Sequence, residues 1–283
     1  MIRTTITTLI LVLLMACEEQ PRPSTASDNV EIIEQQFKIP GLDRTRQIRL
    51  YLPPDYGTSS STYPVLYMHD GQNLFDQSTS YAGEWRVDEI LNQLYKQHGF
   101  GLIVVGIDNG AEKRMTELSP WTNENYGNGE GKEYLGFIVN VVKPYIDANY
   151  RSKPDFNNTG IMGSSMGGLI SHYAIHEYPK VFGLAGVYSP SYWYVKEPIV
   201  RHTKNNQLSS EHRVDFLVGA KEGDEMVSDM QELVELVEQS NVDNLNLRSY
   251  VDPEGEHNEA FWSKYFGATV EFLFITDKKN IED

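Results

Sequence analysis

The sequence predicts an α/β fold: a mostly parallel central sheet, helices on both faces and an antiparallel hairpin at its N-terminal edge. Three observations carry this. Extended and helical patterns alternate from residue 63 to residue 275, the order of a sheet built from strand–helix crossovers. The run "FGLIVVGID" (100–108) is apolar without alternation, as a strand buried on both faces must be. Two extended stretches, 31–39 and 46–52, flank the turn "PGLDRT" ahead of the first helix.

The elements follow in order. After the hairpin, "YPVLYMH" (63–69) is a short apolar strand. "GEWRVDEILNQLYKQ" (83–97) puts Trp85, Ile90, Leu91 and Leu94 on one side of a helix. Residues 100–108 form the next strand. Residues 109–131, rich in Gly and Asn, form a long loop of the kind that is functional or mobile. "KEYLGFIVNVVKPYIDANY" (132–150) is helical, and Pro144 is expected to kink it or end it early. "TGIMG" is a strand that runs into the helix "SMGGLISHYAIHEYP". "VFGLAGVYSP" and 214–220 are strands, 224–240 is an amphipathic helix, 245–252 a strand and 259–275 the last helix.

Composition sets the bounds. A chain of 283 residues suits one large α/β domain. A hydrophobic content of 40% is enough for a substantial core. The net charge of −16 argues against nucleic acid or anionic lipid as an electrostatic partner.

The N-terminus reads "MIRTTITTLILVLLMACEEQ". Arg3 precedes an apolar stretch, Ile6 to Ala16, that is too short to span a bilayer as a helix. It ends in "LMAC", which resembles the lipobox of bacterial lipoprotein signal peptides. That resemblance implies a signal peptide over 1–16, cleavage before Cys17, lipidation of Cys17 and a location anchored in the cell envelope. Residues 17–29 then read as a polar, flexible tether, residues 30–277 as the folded domain and 278–283 as a tail. Cys17 is the one cysteine, so the domain has no thiol nucleophile, disulfide or cysteine metal site.

The chemistry centres on "GSSMG". Gly163, Ser165 and Gly167 fit G-x-S-x-G between a strand and a helix. There the serine needs small neighbours, and the next backbone nitrogen, that of Met166, points at the substrate oxygen. Serine needs a base. In the order serine, acid, histidine that goes with this motif, His172 and His176 come too early, and His202 and His212 precede the strand expected to carry the acid. His257, in the loop before the last helix, is the candidate base. The acid belongs in "KEGDE" after the strand 214–220. Glu222 lies nearest the strand end. Asp224 is the alternative, although it and Glu225 also suit the start of the following helix. A second oxyanion donor is expected from "DGQNLFD", where Gly71 allows close approach and Gln72 supplies the N–H. His69 and Asp70 come too early for a catalytic pair and are expected to shape this loop. No cofactor or metal is required.

With "YPVLYMHDGQNLFD", "IVVGIDNG", "RMTELSP", "IMGSSMGGLIS", "YPKVFGLAGVYSPSYWY", "GAKEGDEM" and "GEHNEAFW" in their expected places, the chain resembles the Putative esterase family of α/β-hydrolases over roughly residues 40–275. The resemblance implies the α/β-hydrolase fold and supports Ser165, Glu222 and His257. It implies a serine carboxylesterase acting on small-molecule or oligosaccharide esters, with feruloyl or acetyl esters of carbohydrates expected. Siderophore trilactones, or acyl transfer of the mycolyltransferase type, are the alternatives. It also suggests that Tyr192 and Trp193 line the substrate site and that Arg114 and Glu117 brace the long loop.

Overall fold

Strands of the main sheet alternate their side chains between two apolar cores. In β5 (Val65–His69), Val65 and Tyr67 face one core while Leu66 and Met68 face the other. The same alternation runs through β6 (Ile103–Ile107), β7 (Thr159–Ser164) and β9 (Arg213–Gly219). Both faces are therefore covered, as a parallel sheet requires. These features come from a computed structural model that describes residues 22–239 and 246–275. The expected signal peptide 1–16, Cys17 and the expected tail 278–283 lie outside the described residues.

The main sheet has eight strands. With β1 (Val30–Ile32), β4 (Ile48–Tyr51), β8 (Leu184–Tyr188) and β10 (Asn246–Asp252) added, its order is β1-β4-β6-β5-β7-β8-β9-β10. From β6 to β10 every pairing is parallel, while β1–β4 and β4–β6 are antiparallel. This is the α/β-hydrolase fold. The leading hairpin is split. Its middle forms a separate two-stranded ladder, β2 (Phe37–Lys38) with β3 (Thr45–Arg46), and β1 crosses to pair with β4.

Helices α1 (Val87–His98) and α8 (Glu259–Val270) cover one face. The other face carries α3 (Gly131–Phe137), α4 (Lys143–Asn149), α5 (Met166–Glu177), α6 (Lys196–Asn205) and α7 (Asp224–Glu238). Pro144 does not end its helix. A π-helical turn, Ile138–Val142, joins α3 to α4 just ahead of it. The wider turn accommodates the ring, which in a regular helix would clash with the carbonyl four residues back.

Residues 22–29 are not a free tether. Ser24 Oγ donates to Asp76 (2.8 Å), Thr25 Oγ1 to Glu84 (2.9 Å) and the Ser27 N–H to Asp88 (2.8 Å). Asn29 Nδ2 donates to Asn92 (3.1 Å). The polar composition that reads as a linker supplies the donors for a strap, and carboxylates at the start of α1 and in the preceding loop accept them.

The order of strands reverses between β5 and β7: β6 lies on one side of β5 and the later strands on the other. In open α/β sheets the crevice at such a reversal, beyond the C-terminal strand ends, is where ligands bind.

Candidate active site

Ser165 stands at that reversal, where β7 turns directly into α5. Its backbone is at φ 61°, ψ −120°, a conformation that costs a non-glycine residue of order 1–3 kcal/mol and is typical of a strained functional turn. The turn is anchored by the Ser165 N–H to Tyr188 O (2.9 Å). Only a glycine fits at 163, since a Cβ there would lie 2.9 Å from the His69 ring and 3.0 Å from Gly167 backbone. Ser165 Oγ hydrogen-bonds Ser191 Oγ at 3.1 Å, and the Ser191 N–H donates to Ser165 O (3.0 Å). Ser164, the neighbouring serine, is buried at the strand end.

His257 lies in the turn between β10 and α8. Asn258 caps that helix by accepting from the Phe261 N–H (3.0 Å), which fixes the turn where the histidine leaves it. His257 Nδ1 is 2.7 Å from Glu222 Oε2. Glu222 ends the 3₁₀ turn Ala220–Glu222 that follows β9, and its other oxygen accepts from the Gly219 N–H (2.8 Å) and Ser189 Oγ (2.6 Å). Asp224, the alternative acid, is the exposed first residue of α7.

Ser165 and His257 line one cavity of about 640 Å³. Gln72 also borders it, in the 3₁₀ turn Gly71–Asn73 after β5. Met166 opens α5, where first-turn N–H groups have no partner within the helix. Trp85, Trp262 and Arg114 complete much of the wall, and Tyr81 stands 92% exposed at its border.

The floor is charged but paired. Arg114, in the short helix α2 (Arg114–Glu117), grips Asp70 through two bonds of 2.6 and 2.8 Å, and Asn109 Nδ2 adds a third at 2.6 Å. Burial pushes the Asp70 carboxyl up, but the Arg114 guanidinium and the Asn109 amide outweigh it and hold the group below the usual carboxylate range. Burial lowers His69 to about 4, and its Nδ1 lies 2.8 Å from the Tyr134 hydroxyl. It is therefore neutral at pH 7 and part of the frame. Burial, with the charge of Asp70 nearby, raises Glu259. Glu117 is buried and pairs with Arg46 and with Arg44 (3.1 Å), so both Arg114 and Glu117 tie the 109–131 loop to the body.

Two expected site residues lie elsewhere. Tyr192 is fully buried in the core, its hydroxyl bonded to His172 Nδ1. Trp193 is 43% exposed and packs against Tyr126 and Tyr194 outside the cavity. Consecutive residues of the 3₁₀ turn Tyr192–Tyr194 point in different directions, so the pair divides between core and surface. Conversely, Ser189, Ser191 and Trp262 touch the site without having been expected there. The "SPS" that follows β8 was the available signal, because it ends a strand beside the one that carries Ser165.

Among the described residues, Glu84, Asp88 and Glu89 are the acidic group close enough to share a cation. Asp88 and Glu89 sit in the first turn of α1, where carboxylates suit the helix dipole without an ion.

The sequence model of the family described as Putative esterase matches residues 39–273. The chain is 29% identical to the uncharacterized protein YbbA of Bacillus subtilis, over 83% of this chain and 95% of that one. It is 29% identical to the siderophore triacetylfusarinine C esterase of Aspergillus fumigatus, over 53% and 51% respectively. To an endo-1,4-beta-xylanase/feruloyl esterase of Xylanibacter ruminicola it is 25% identical, over 50% of this chain and 19% of that one. The crystal structure of an IroE-like serine hydrolase from Shewanella oneidensis has the same fold. It superposes with a TM-score of 0.69 over 86% of this chain and 80% of that one, at 18% identity.

Proposed function

The chain belongs to the Putative esterase family, and on that premise we propose that it is a serine carboxylesterase working through an acyl-enzyme. One observation carries the reading. A buried carboxylate, Glu222, holds His257 by Nδ1 at the mouth of the cavity that Ser165 enters from a strained turn.

Rotation of the Ser165 hydroxyl away from Ser191 and toward the free nitrogen of His257 prepares the attack. Ser165 Oγ adds to the ester carbonyl as His257 takes its proton. Glu222 keeps the imidazole in the tautomer and orientation that this needs, and stabilises the imidazolium that forms. The N–H groups of Met166 and Gln72 donate to the oxyanion. His257 then protonates the leaving alcohol and activates water for deacylation. Ser165→Ala is expected to lower p-nitrophenyl acetate hydrolysis by at least about a thousandfold. A fluorophosphonate probe is expected to add one mass increment, on Ser165 alone. Full activity in Ser165→Ala overturns the reading.

We infer acyl esters of carbohydrates, feruloyl or acetyl, as the substrate class. The similarity to a xylanase/feruloyl esterase supports this. The similarity to a siderophore esterase favours a trilactone as the second reading. Parallel assays on methyl ferulate, acetylated xylan and a catecholate trilactone separate them: the preferred class shows the highest kcat/KM. Product analysis with competing sugar acceptors tests for acyl transfer. The anchoring through Cys17 is likewise a proposal, and Cys17→Ser is expected to release the protein from the membrane fraction.

A further inference from the structure

We propose that Ser189 and Trp262 are positioning residues for the triad acid, acting through a directed hydrogen-bond chain that runs from the Trp262 indole N–H to Ser189 Oγ and on to Glu222 Oε1. This deepens the serine esterase reading above and rests on it.

The chain has a fixed direction. Trp262 Nε1 lies 2.8 Å from Ser189 Oγ, and Ser189 Oγ lies 2.6 Å from Glu222 Oε1. An indole nitrogen can only donate. Ser189 Oγ must therefore accept from it, which leaves the single hydroxyl hydrogen for the carboxylate. Ser189 is fully buried and held at φ 42°, with its N–H bonded to Leu217 O at 2.6 Å. Its hydroxyl thus has a rigid base, tied to the strand that leads to Glu222.

The consequence falls on Glu222. Oε1 receives two donors, Ser189 and the Gly219 N–H, so this oxygen is occupied. Oε2 is left for His257 Nδ1 at 2.7 Å. The Trp262 ring also meets the His257 ring edge-on, at 5.1 Å between centroids and 84° between planes. One side chain thus packs against the base directly and steadies the acid through Ser189. If Trp262 and Ser189 merely satisfied each other as buried polar groups, their loss would change stability and leave the kcat-to-KM balance alone.

The test compares Trp262→Phe, Ser189→Ala, the double variant and Ser165→Ala in p-nitrophenyl acetate kinetics and thermal unfolding. Phenylalanine keeps an aromatic ring at 262 but removes the N–H together with part of the indole, and thermal unfolding reads the packing lost with it. Because hydrogen bonds to a charged group are worth more than neutral ones, kcat is expected to fall about 10–100-fold in Ser189→Ala and about 3–10-fold in Trp262→Phe. In Ser189→Ala, whose side chain does not line the cavity, KM should stay within about twofold of wild type. The double variant should match Ser189→Ala within about twofold, since the indole N–H acts only through Ser189. Wild-type kcat in folded single variants, a change confined to KM in Ser189→Ala, or additive losses in the double variant each overturn the proposal. If Ser189→Ala does not fold, Trp262→Phe alone decides. An inactive Ser165→Ala beside fully active position 189 and 262 variants sinks this inference only. An active Ser165→Ala sinks the serine mechanism itself.

Discussion

Glu222 reaches His257 with one carboxylate oxygen and is itself held by the other: Oε2 lies 2.7 Å from Nδ1, while Oε1 accepts from the Gly219 N–H and the Ser189 hydroxyl. The carboxylate cannot turn without breaking all three bonds. An amide in its place would present a donor to one of these groups and favour the wrong imidazole tautomer. Glu222→Gln is therefore expected to lower kcat for p-nitrophenyl acetate by about 10³–10⁴-fold. Asp224 is exposed at the start of α7, and Asp224→Asn should stay within about twofold of wild type. Equal losses in the two variants would reassign the acid.

The Asp70–Arg114 pair makes a stability prediction with a pH window. Asp70 is buried and accepts two bonds from Arg114. Its folded pKa is depressed below the ordinary 3.8 by Arg114 and Asn109 against the pull of burial. A depressed carboxyl contributes stability that is fully present above its unfolded value and lost as pH falls through the folded one. Arg114→Met strands the carboxylate, at a cost of about 3–5 kcal/mol for a broken buried pair, toward the lower end because Asn109 remains. Urea unfolding at pH 7 should show that loss. Below about pH 4 the gap between variant and wild type should narrow as Asp70 protonates.

Beneath the strap, Asp88 runs the opposite way. It is fully buried, and its carboxyl is raised to about 6, by burial first and by neighbouring Glu89, against the Ser27 N–H that favours the charged form. A raised carboxyl stabilises the fold below its unfolded value, and this contribution is lost as pH rises through about 6. Asp88→Asn keeps an acceptor for Ser27 and removes the buried charge. It should stabilise the protein at pH 8 by about 1–3 kcal/mol, and the gain should vanish near pH 4. A thermal midpoint at pH 8 unchanged or lowered by the substitution contradicts this account.

How much of this was legible in the sequence depended on how local the signal was. The order Ser165, Glu222, His257 could be read because each residue lies just past a strand or just before a helix, and a parallel sheet brings those loops to one end. The strap could not, because its partners Asp76, Glu84 and Asp88 lie more than fifty positions away. A polar segment looks the same whether water or carboxylates accept its hydrogen bonds. Ser189 and Trp262 are 73 residues apart, and their bond depends on how α8 docks against the end of β8. Tyr192 was misplaced for the complementary reason. Its aromatic character was visible, but the direction of one residue in a 3₁₀ turn is set by packing against His172 rather than by any periodic pattern.

Gly168 tests how tightly the helix behind Ser165 is seated. It lies in the first turn of α5, where a Cβ would come 2.5 Å from Tyr188 O and 3.2 Å from Pro190 Cα. Both obstructions are backbone, so no rotamer change relieves them. In an open helix position Gly→Ala gains about 0.5–1 kcal/mol. At 168 the clash must instead lift α5 away from the end of β8, the segment that carries Ser189 and Ser191. Gly168→Ala is expected to lose at least about 2 kcal/mol, in the range of overpacked cores, and to lower esterase activity by disturbing the Ser165–Ser191 contact. Gly136 in α3 is the control, because a Cβ there meets only Asn140 Nδ2, at 3.8 Å. Gly136→Ala should stabilise the protein by about 0.5–1 kcal/mol. Urea unfolding of both variants measures the contrast, and a stabilised Gly168→Ala would mean that α5 sits further from β8 than the structure places it.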